Sequence, residues 1–305
     1  MSREVLQTLW SGYGEICRIT LSGGDINSIV LKHISLPSER KHLRGWNSEF
    51  AHNRKVKSYD VEMNWYENWS NICDEDCRVA KCYLANKIEN ERFIIMEDLD
   101  SSGYSHRFSA LDFKGVKPCL RWLANFHANF MDVKPKNLWP MGTYWHLATR
   151  PDEYAQMQDG KLKQAAKQID VMLNECTYQT IVHGDAKVAN FCFSENCQQV
   201  VAVDFQYVGG GCGMKDVAYL LGSCLDEKQC EIWQDELLDY YFENLKKALD
   251  QSGKNIDWQA LEKEWRFMYA VAWTDFYRFV LGWMPTHKKI NRYTQTLANS
   301  VLSQF

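Results

Sequence analysis

Basic charge is not in excess in this sequence. Over 305 residues, 35 Lys and Arg stand against 39 Asp and Glu, a net charge of −4. Proteins that bind nucleic acid usually carry a basic surplus or stripe, so that partner is disfavoured. The densest basic stretch runs from Arg40 to Lys57 (Arg40, Lys41, Arg44, Arg54, Lys55, Lys57), but acidic and aromatic residues interrupt it, and it reads as a solvated helix face. Long apolar runs are also missing. The most apolar stretch, Phe267 to Trp283, contains Asp275 and Arg278 and is too short and too charged for a membrane span. The opening Met1 to Gln7 lacks the apolar core of a secretory leader. No cysteine spacing matches a zinc site: Cys73, Cys77 and Cys82 fit no familiar pattern and have no histidine beside them. There is no internal repeat or low-complexity tract. A strand–Gly-x-Gly-x-x-Gly–helix unit is lacking too, which sets aside a dinucleotide-dependent oxidoreductase.

What is present suits a folded protein of two lobes, because 305 residues exceed one compact core. Hydrophobic residues make up 46% and charged residues 24%, ordinary values for a globular chain. The 11 cysteines are an odd number scattered through apparent strands and helices, and read as reduced thiols of a cytoplasmic protein. The 12 tryptophans are a surplus that suits either an aromatic core or a lined pocket.

Along the chain, β-like runs come first: Leu6 to Trp10, Ile16 to Leu21 and Ser28 to His33, separated by Ser11-Gly12-Tyr13-Gly14 and Ser22-Gly23-Gly24-Asp25. A helix is expected from about Phe50 to Trp69, with Val61, Trp65 and Trp69 at helical spacing. Val79 to Leu84 and Arg92 to Met96 look like two more strands, and Ser101-Ser102-Gly103 loosens the chain after them. Helical periodicity then dominates. Its faces are Leu120, Leu123, Phe126, His127 and Phe130; then Leu238, Tyr241, Phe242, Leu245 and Leu249; then Leu261 through Trp283. Ile181-Val182 and Val200 to Val203 read as a β-hairpin set among these helices. The fold class is therefore α+β, with a small antiparallel β-rich lobe over 1–99 and a larger, mainly helical lobe over 100–305.

The strongest chemical signal is His183-Gly184-Asp185-Ala186-Lys187-Val188-Ala189-Asn190, followed by Val203-Asp204-Phe205-Gln206. Asp185 and Asn190 lie five residues apart on a loop leaving a strand, and Asp204 follows fourteen residues after Asn190. Phosphoryl transfer from ATP needs such a set. Mg2+ is a hard cation and takes oxygen ligands, here the Asn190 amide and the Asp204 carboxylate. A separate carboxylate, Asp185, must accept or orient the proton of the attacking hydroxyl. Short polar side chains at loop positions also form turns, but a hydrophobic strand on each side favours the functional reading.

These motifs resemble the kinase superfamily that joins aminoglycoside phosphotransferases, choline kinases and ecdysteroid kinases, most closely the ecdysteroid-kinase-like branch. Asp204-Phe205-Gln206 and the stretch Gly209 to Tyr219, with Asp216-Val217-Ala218-Tyr219 at its end, carry the likeness. It implies a protein-kinase-like fold of two lobes, ATP and Mg2+ as cofactors, and a small-molecule alcohol as acceptor. Asp185 would be the catalytic base, while Asn190 and Asp204 would hold the metal. Asp216 would open a helix and brace the catalytic loop, or act as a plain N-cap. Lys187, which departs from the closest branch, either steadies transition-state charge or faces solvent. The likeness also implies that Lys32 binds the α- and β-phosphates and needs a carboxylate to fix it: Glu62, with Glu67 as competitor. Gly12 and Gly14 either cover the phosphates or form an ordinary hairpin turn. Met96, Glu97 and Leu99 fit a hinge whose backbone would meet adenine. His127 is read as a core histidine with one hydrogen-bond partner.

The acceptor is much less defined. No Ala-Pro-Glu signature follows Asp216, which leaves little room for a peptide-docking segment and favours a small alcohol. The family implies an acceptor site near the helix carrying Trp265, Tyr269, Trp273, Asp275, Tyr277 and Trp283. Aromatics with a carboxylate suit a cationic head group; the same stripes more simply describe a helix buried on both sides, which is the preferred reading. A catalytically silent nucleotide-binding protein is the alternative to an active enzyme. The oligomeric state is open.

Overall fold

The computed structural model describes residues 2–9, 12–36 and 49–305. Trp10 and Ser11 of the first run and turn, and Arg40, Lys41 and Arg44 of the basic stretch, lie outside them. In chain order the elements are β1 (Ser2–Thr8), β2 (Gly14–Thr20), β3 (Ser28–Ser35), α1 (Glu49–Asn68), β4 (Cys82–Ile88), β5 (Glu91–Glu97), α2 (Phe113–Asn129), α3 (Pro151–Gln156), α4 (Lys161–Asn174), β6 (Thr180–Val182), β7 (Phe191–Phe193), β8 (Val200–Ala202), β9 (Gly209–Gly211), α5 (Met214–Cys224), α6 (Glu227–Ser252), α7 (Trp258–Trp283) and α8 (Arg292–Leu302). They group into two units: Met1–Arg107 with Cys192–Gln206, and Phe108–Phe191 with Tyr207–Phe305.

The first unit is a five-stranded antiparallel sheet in the order β1-β2-β3-β5-β4, with α1 beside it. Alternation builds its inner face. In β5, Arg92, Ile94 and Met96 are buried while their neighbours are less so, the period of two that a pleated strand imposes. β3 sets Lys32 opposite Ile94 of β5, so the lysine emerges on an apolar face. α1 buries Tyr59, Val61, Glu62, Met63, Trp65 and Tyr66. Arg92 Nε donates to Asp60 of α1 at 2.7 Å, which ties helix to sheet. The edge strand β4 begins and ends later than the hydrophobic run Val79 to Leu84 suggests. It continues through Asn86 and Lys87 because an edge strand is mostly solvated and needs no apolar pattern. Val79 instead pairs in parallel with Ala202 of β8.

The second unit is helical. Asp112 caps α2 by accepting from Gly115 N–H, Asp226 and Gln229 form a capping box on α6, and Gly253 ends α6 in the left-handed conformation. Asp257 caps α7 and Asn291 caps α8. α2 lies against α6, and α7 runs through the middle, packing on α3, α4, α5 and α8. That position explains why α7 is buried on nearly every side from Val271 to Val280. At Gly282 the α3 backbone comes so close that a Cβ would overlap the Glu153 carbonyl oxygen.

One expectation is corrected. Ile181-Val182 and Val200 to Val203 do not pair with each other. β6 pairs with β9, and β7 pairs with β8, as two separate two-stranded ladders. The partner of β6 is three glycines in a row, which carry no hydrophobic signal, and the backbones of Gly209 and Gly210 pass against Trp139, Pro140 and Gly142 too closely for a side chain. No helix of the described residues is long and apolar enough to cross a membrane.

Candidate active site

In the first unit, Lys32 is the centre of the polar group. Its Nζ lies 2.8 Å from Glu62 Oε1 and 2.7 Å from Oε2, and 3.2 Å from Asp204 Oδ1. The ammonium is 3% exposed and the Glu62 carboxylate 1%. Burial alone would pull the lysine down, but the charges of Glu62 and Asp204 more than offset it and hold Lys32 above its ordinary value. The cation therefore stays charged inside the protein. Glu67, the competing partner, is exposed.

Asp204 holds a left-handed backbone, φ 70°. Asp tolerates this conformation better than most residues, and side chains held there are often functional ones. Phe205 stacks on Trp65 at 4.5 Å and meets the edge of Tyr66 at 6.1 Å, which anchors the motif on α1. Gln206 was read only as part of the motif. It donates to Asp204 Oδ1 through Nε2 and accepts from Ser58, which no sequence signal marked, and from Lys55, which the basic stretch placed on a solvated face but which turns inward to this amide.

The glycine turn is tight. Gly12 has φ 73° and donates its N–H to Leu9 O at 3.1 Å; Gly14 has φ 122°, and a Cβ there would overlap the His33 carbonyl. The Tyr13 hydroxyl meets His52 Nδ1 of α1 at 2.7 Å. Met96 and Glu97 end β5. Glu97 is held by Arg78 at 2.6 Å and by Lys81 N–H at 3.1 Å. Leu99 is buried, and its carbonyl accepts from Tyr104 N–H at 2.8 Å. Asp98, between them, accepts from Arg18 Nε and Ser28 Oγ, each at 2.7 Å.

In the second unit, Asp185 follows β6 on a loop fixed from several sides. Lys187 Nζ donates to Asp185 Oδ2 at 2.9 Å and is 37% exposed on its side chain. Asn190 Nδ2 donates to the Asp185 carbonyl at 2.8 Å and to its Oδ2 at 3.1 Å. These bonds fix the amide orientation, so Asn190 presents its oxygen away from Asp185. Gly184 has φ 79°, and a Cβ there would strike the Tyr207 carbonyl. Asp216 is fully buried and accepts from His183 N–H at 2.6 Å and Gly184 N–H at 2.9 Å. It sits inside the first turn of α5, whose N-cap is Gly213, so it braces the loop and does not cap the helix. His127 has two partners, not one. Its Nε2–H donates to Asp216 at 3.2 Å and its Nδ1 accepts from the Tyr241 hydroxyl at 2.8 Å.

Of the two readings of the α7 aromatics, a lined pocket and a helix buried on both sides, the structure shows the second. Trp265 donates to Tyr178 O, Tyr269 meets Tyr293, and Trp273 donates to Thr294, so these rings belong to the core. Asp275 is buried and spent on Arg278 at 2.8 Å, which leaves it unsuited to hold a cationic head group. Tyr144 instead lies beside the Asp185 loop, its N–H donating to the Gly184 carbonyl at 3.1 Å, and Tyr219 packs against it. Their rings are 5.4 Å apart and pack against Trp145, Phe276 and Phe279. The Arg150 guanidinium lies over the rings of Tyr144 and Phe279, at 5.6 and 5.4 Å.

Among solved structures, an aminoglycoside-3'-phosphotransferase of type VIII is similar at 12% identity and a TM-score of 0.50, over 87% of this chain and 93% of that one. An ethanolamine kinase of Plasmodium vivax is similar at 13% identity and a TM-score of 0.50, over 98% and 81%. At such identities the likeness shows the fold: α+β, kinase-like, with an antiparallel sheet unit and a helical one. No curated protein matches the sequence. The model of the ecdysteroid kinase-like family matches residues 52–138 and 141–254, and the chain belongs to that family.

Proposed function

We propose that this protein transfers the γ-phosphoryl group of ATP to a hydroxyl of a small molecule. Family and fold mark it as kinase-like and of the small-molecule type. The observation that carries the finer reading is the Lys32 ammonium, buried, charged and held by Glu62 and Asp204. Burying such a cation costs several kcal/mol, and a paired, buried ammonium suits an anionic ligand. Lys32 binds phosphate oxygens, and Glu62 keeps it pointed. Gly12 and Gly14 let the β1–β2 turn approach a phosphate, and the backbone of Met96, Glu97 and Leu99 receives the adenine.

The donor set suits Mg2+. Asp204 would give a carboxylate, and the Asn190 amide, turned by its bonds to Asp185, would give a neutral oxygen, both hard ligands. When bound, Mg2+ neutralises charge on the phosphates. Asp185 accepts the proton of the attacking hydroxyl, and Lys187, 2.9 Å from it, steadies charge on the transferred group. Asp216 holds the loop through His183 and Gly184.

The acceptor is a neutral alcohol. Arg150 occupies the faces of Tyr144 and Phe279 where an ammonium would otherwise stack, and Asp275 is neutralised by Arg278. The protein acts in the cytoplasm, where its 11 cysteines stay reduced. The test is ATP-dependent phosphorylation, read by mass, of a panel of choline, aminoglycosides, amino alcohols, sugars and sterols. Product from neutral members supports the reading. Product from cationic members alone overturns the acceptor class, and ATP binding with neither hydrolysis nor product favours a silent nucleotide-binding protein.

A further inference from the structure

Gln206 lies two residues beyond Asp204, is 6% exposed, and belongs to a polar chain that starts on α1. Lys55 and Ser58 are three residues apart on that helix and Glu62 four further on, so all three share one face. Lys55 Nζ donates to Gln206 Oε1 at 2.6 Å, and Ser58 Oγ reaches the same oxygen at 3.3 Å. An ammonium only donates, so the amide oxygen must face Lys55. The NH2 end is thereby turned toward Asp204, where Nε2 donates to Oδ1 at 2.5 Å. The same Oδ1 accepts from Lys32, which Glu62 holds. One helix thus grips Asp204 by two routes, through Glu62 and Lys32 and through Lys55 and Gln206.

We infer that Gln206 is a positioning residue for the Asp204 carboxylate and that Lys55 sets its orientation. Two donors on one oxygen fix the plane of the carboxylate on a backbone already in a left-handed conformation. Hydrogen-bond partners of this kind orient a metal-binding carboxylate, and losing one typically weakens metal binding about 10- to 100-fold. The inference rests on the proposed role of Asp204 in holding Mg2+, and it makes the metal's hold depend on the seating of α1.

The experiment is calorimetric binding of ADP to the full chain, with and without Mg2+, in the parent, Gln206→Leu, Lys55→Met and the double variant. In the parent, Mg2+ strengthens ADP binding. In Gln206→Leu that gain falls about tenfold, while metal-free ADP binding stays within twofold. Lys55→Met loses part of the gain, and the double variant loses no more than Gln206→Leu, because Lys55 acts through the glutamine. An undiminished gain in Gln206→Leu, or losses that add in the double variant, overturns the inference while leaving the site's reading intact. If Mg2+ does not strengthen ADP binding in the parent, the reading of Asp204 fails and this inference with it. Should Gln206→Leu not fold, Lys55→Met decides: an unchanged gain there overturns the proposal.

Discussion

Removing Lys32 should harm the fold as well as the chemistry. Its ammonium is 3% exposed and touches both oxygens of Glu62, itself 1% exposed. In Lys32→Met the Glu62 carboxylate is left buried without its cation, a defect that costs about 3–5 kcal/mol. In Glu62→Leu the lysine keeps Asp204 at 3.2 Å, and that carboxylate is partly exposed, so the cost is smaller, about 1–3 kcal/mol. In the double variant Lys32→Met with Glu62→Leu, both charges leave together, and the cost drops below that of Lys32→Met alone. The coupling should reach about 2 kcal/mol in the sense that the two losses cancel. Urea denaturation of the parent, both single variants and the double variant measures all four terms. Costs that add within about 0.5 kcal/mol, or a larger loss in Glu62→Leu than in Lys32→Met, would refute the description of these two side chains as one buried ionic unit.

Further outcomes follow from individual contacts. Asp216→Asn replaces one of the oxygens that hold His183 and Gly184 by an amide NH2, so stability falls by about 1.5–3 kcal/mol in urea and any turnover falls with it; unchanged stability would count against the bracing role. Gly282→Ala drives a methyl group into the α3 backbone and destabilises the helical unit, toward the upper end of about 1–3 kcal/mol, read as a lowered thermal midpoint; a neutral substitution would contradict the close approach of α3 and α7. Asp98 supplies a pH dependence. Burial pushes its carboxyl up, but Arg18, Ser28 and Ser101 outweigh this and hold it below the ordinary aspartate range. A carboxyl lower in the folded than in the unfolded state stabilises fully above about pH 3.9, and this is lost as pH falls through the folded value. Asp98→Asn should therefore flatten the acid side of the stability profile below about pH 4, and an unaltered acid side would contradict it.

Much of the fold was legible because its signals are local. The glycine turns, the alternation in β5 and the apolar faces of α2 and α6 all follow from neighbouring residues. The rest depends on long-range geometry. The pairing of β6 with a run of glycines has no pattern of its own, so the strand Val200 to Ala202 looked like the partner when it belongs with Phe191 to Phe193. β4 was placed too early because a solvated edge strand does not alternate. At the site, Asp204 could be named from residue type and spacing, and Lys32 and Glu62 from what the resemblance implies; the structure brings these three together in one unit. Gln206 could not be given a role, since its value depends on which face of α1 turns inward. The second partner of His127 was missed for the same reason: Tyr241 is 114 residues away. On α7 the aromatic stripe suited both a pocket and a core, and only the bonds of Trp265, Trp273 and Asp275 separate the two.

The central claim is that this chain binds ATP with Mg2+ and transfers its terminal phosphoryl group, with Asp204 needed for the metal and Asp185 for the chemistry. The most direct measurement is ADP release from Mg2+-ATP, followed together with nucleotide binding, for the parent, Asp204→Ala and Asp185→Ala. The account predicts slow release by the parent, loss of both binding strength and release in Asp204→Ala, and near-normal binding with release reduced about 100- to 10,000-fold in Asp185→Ala. Full release by Asp204→Ala, or equal release by the parent and Asp185→Ala, would contradict it.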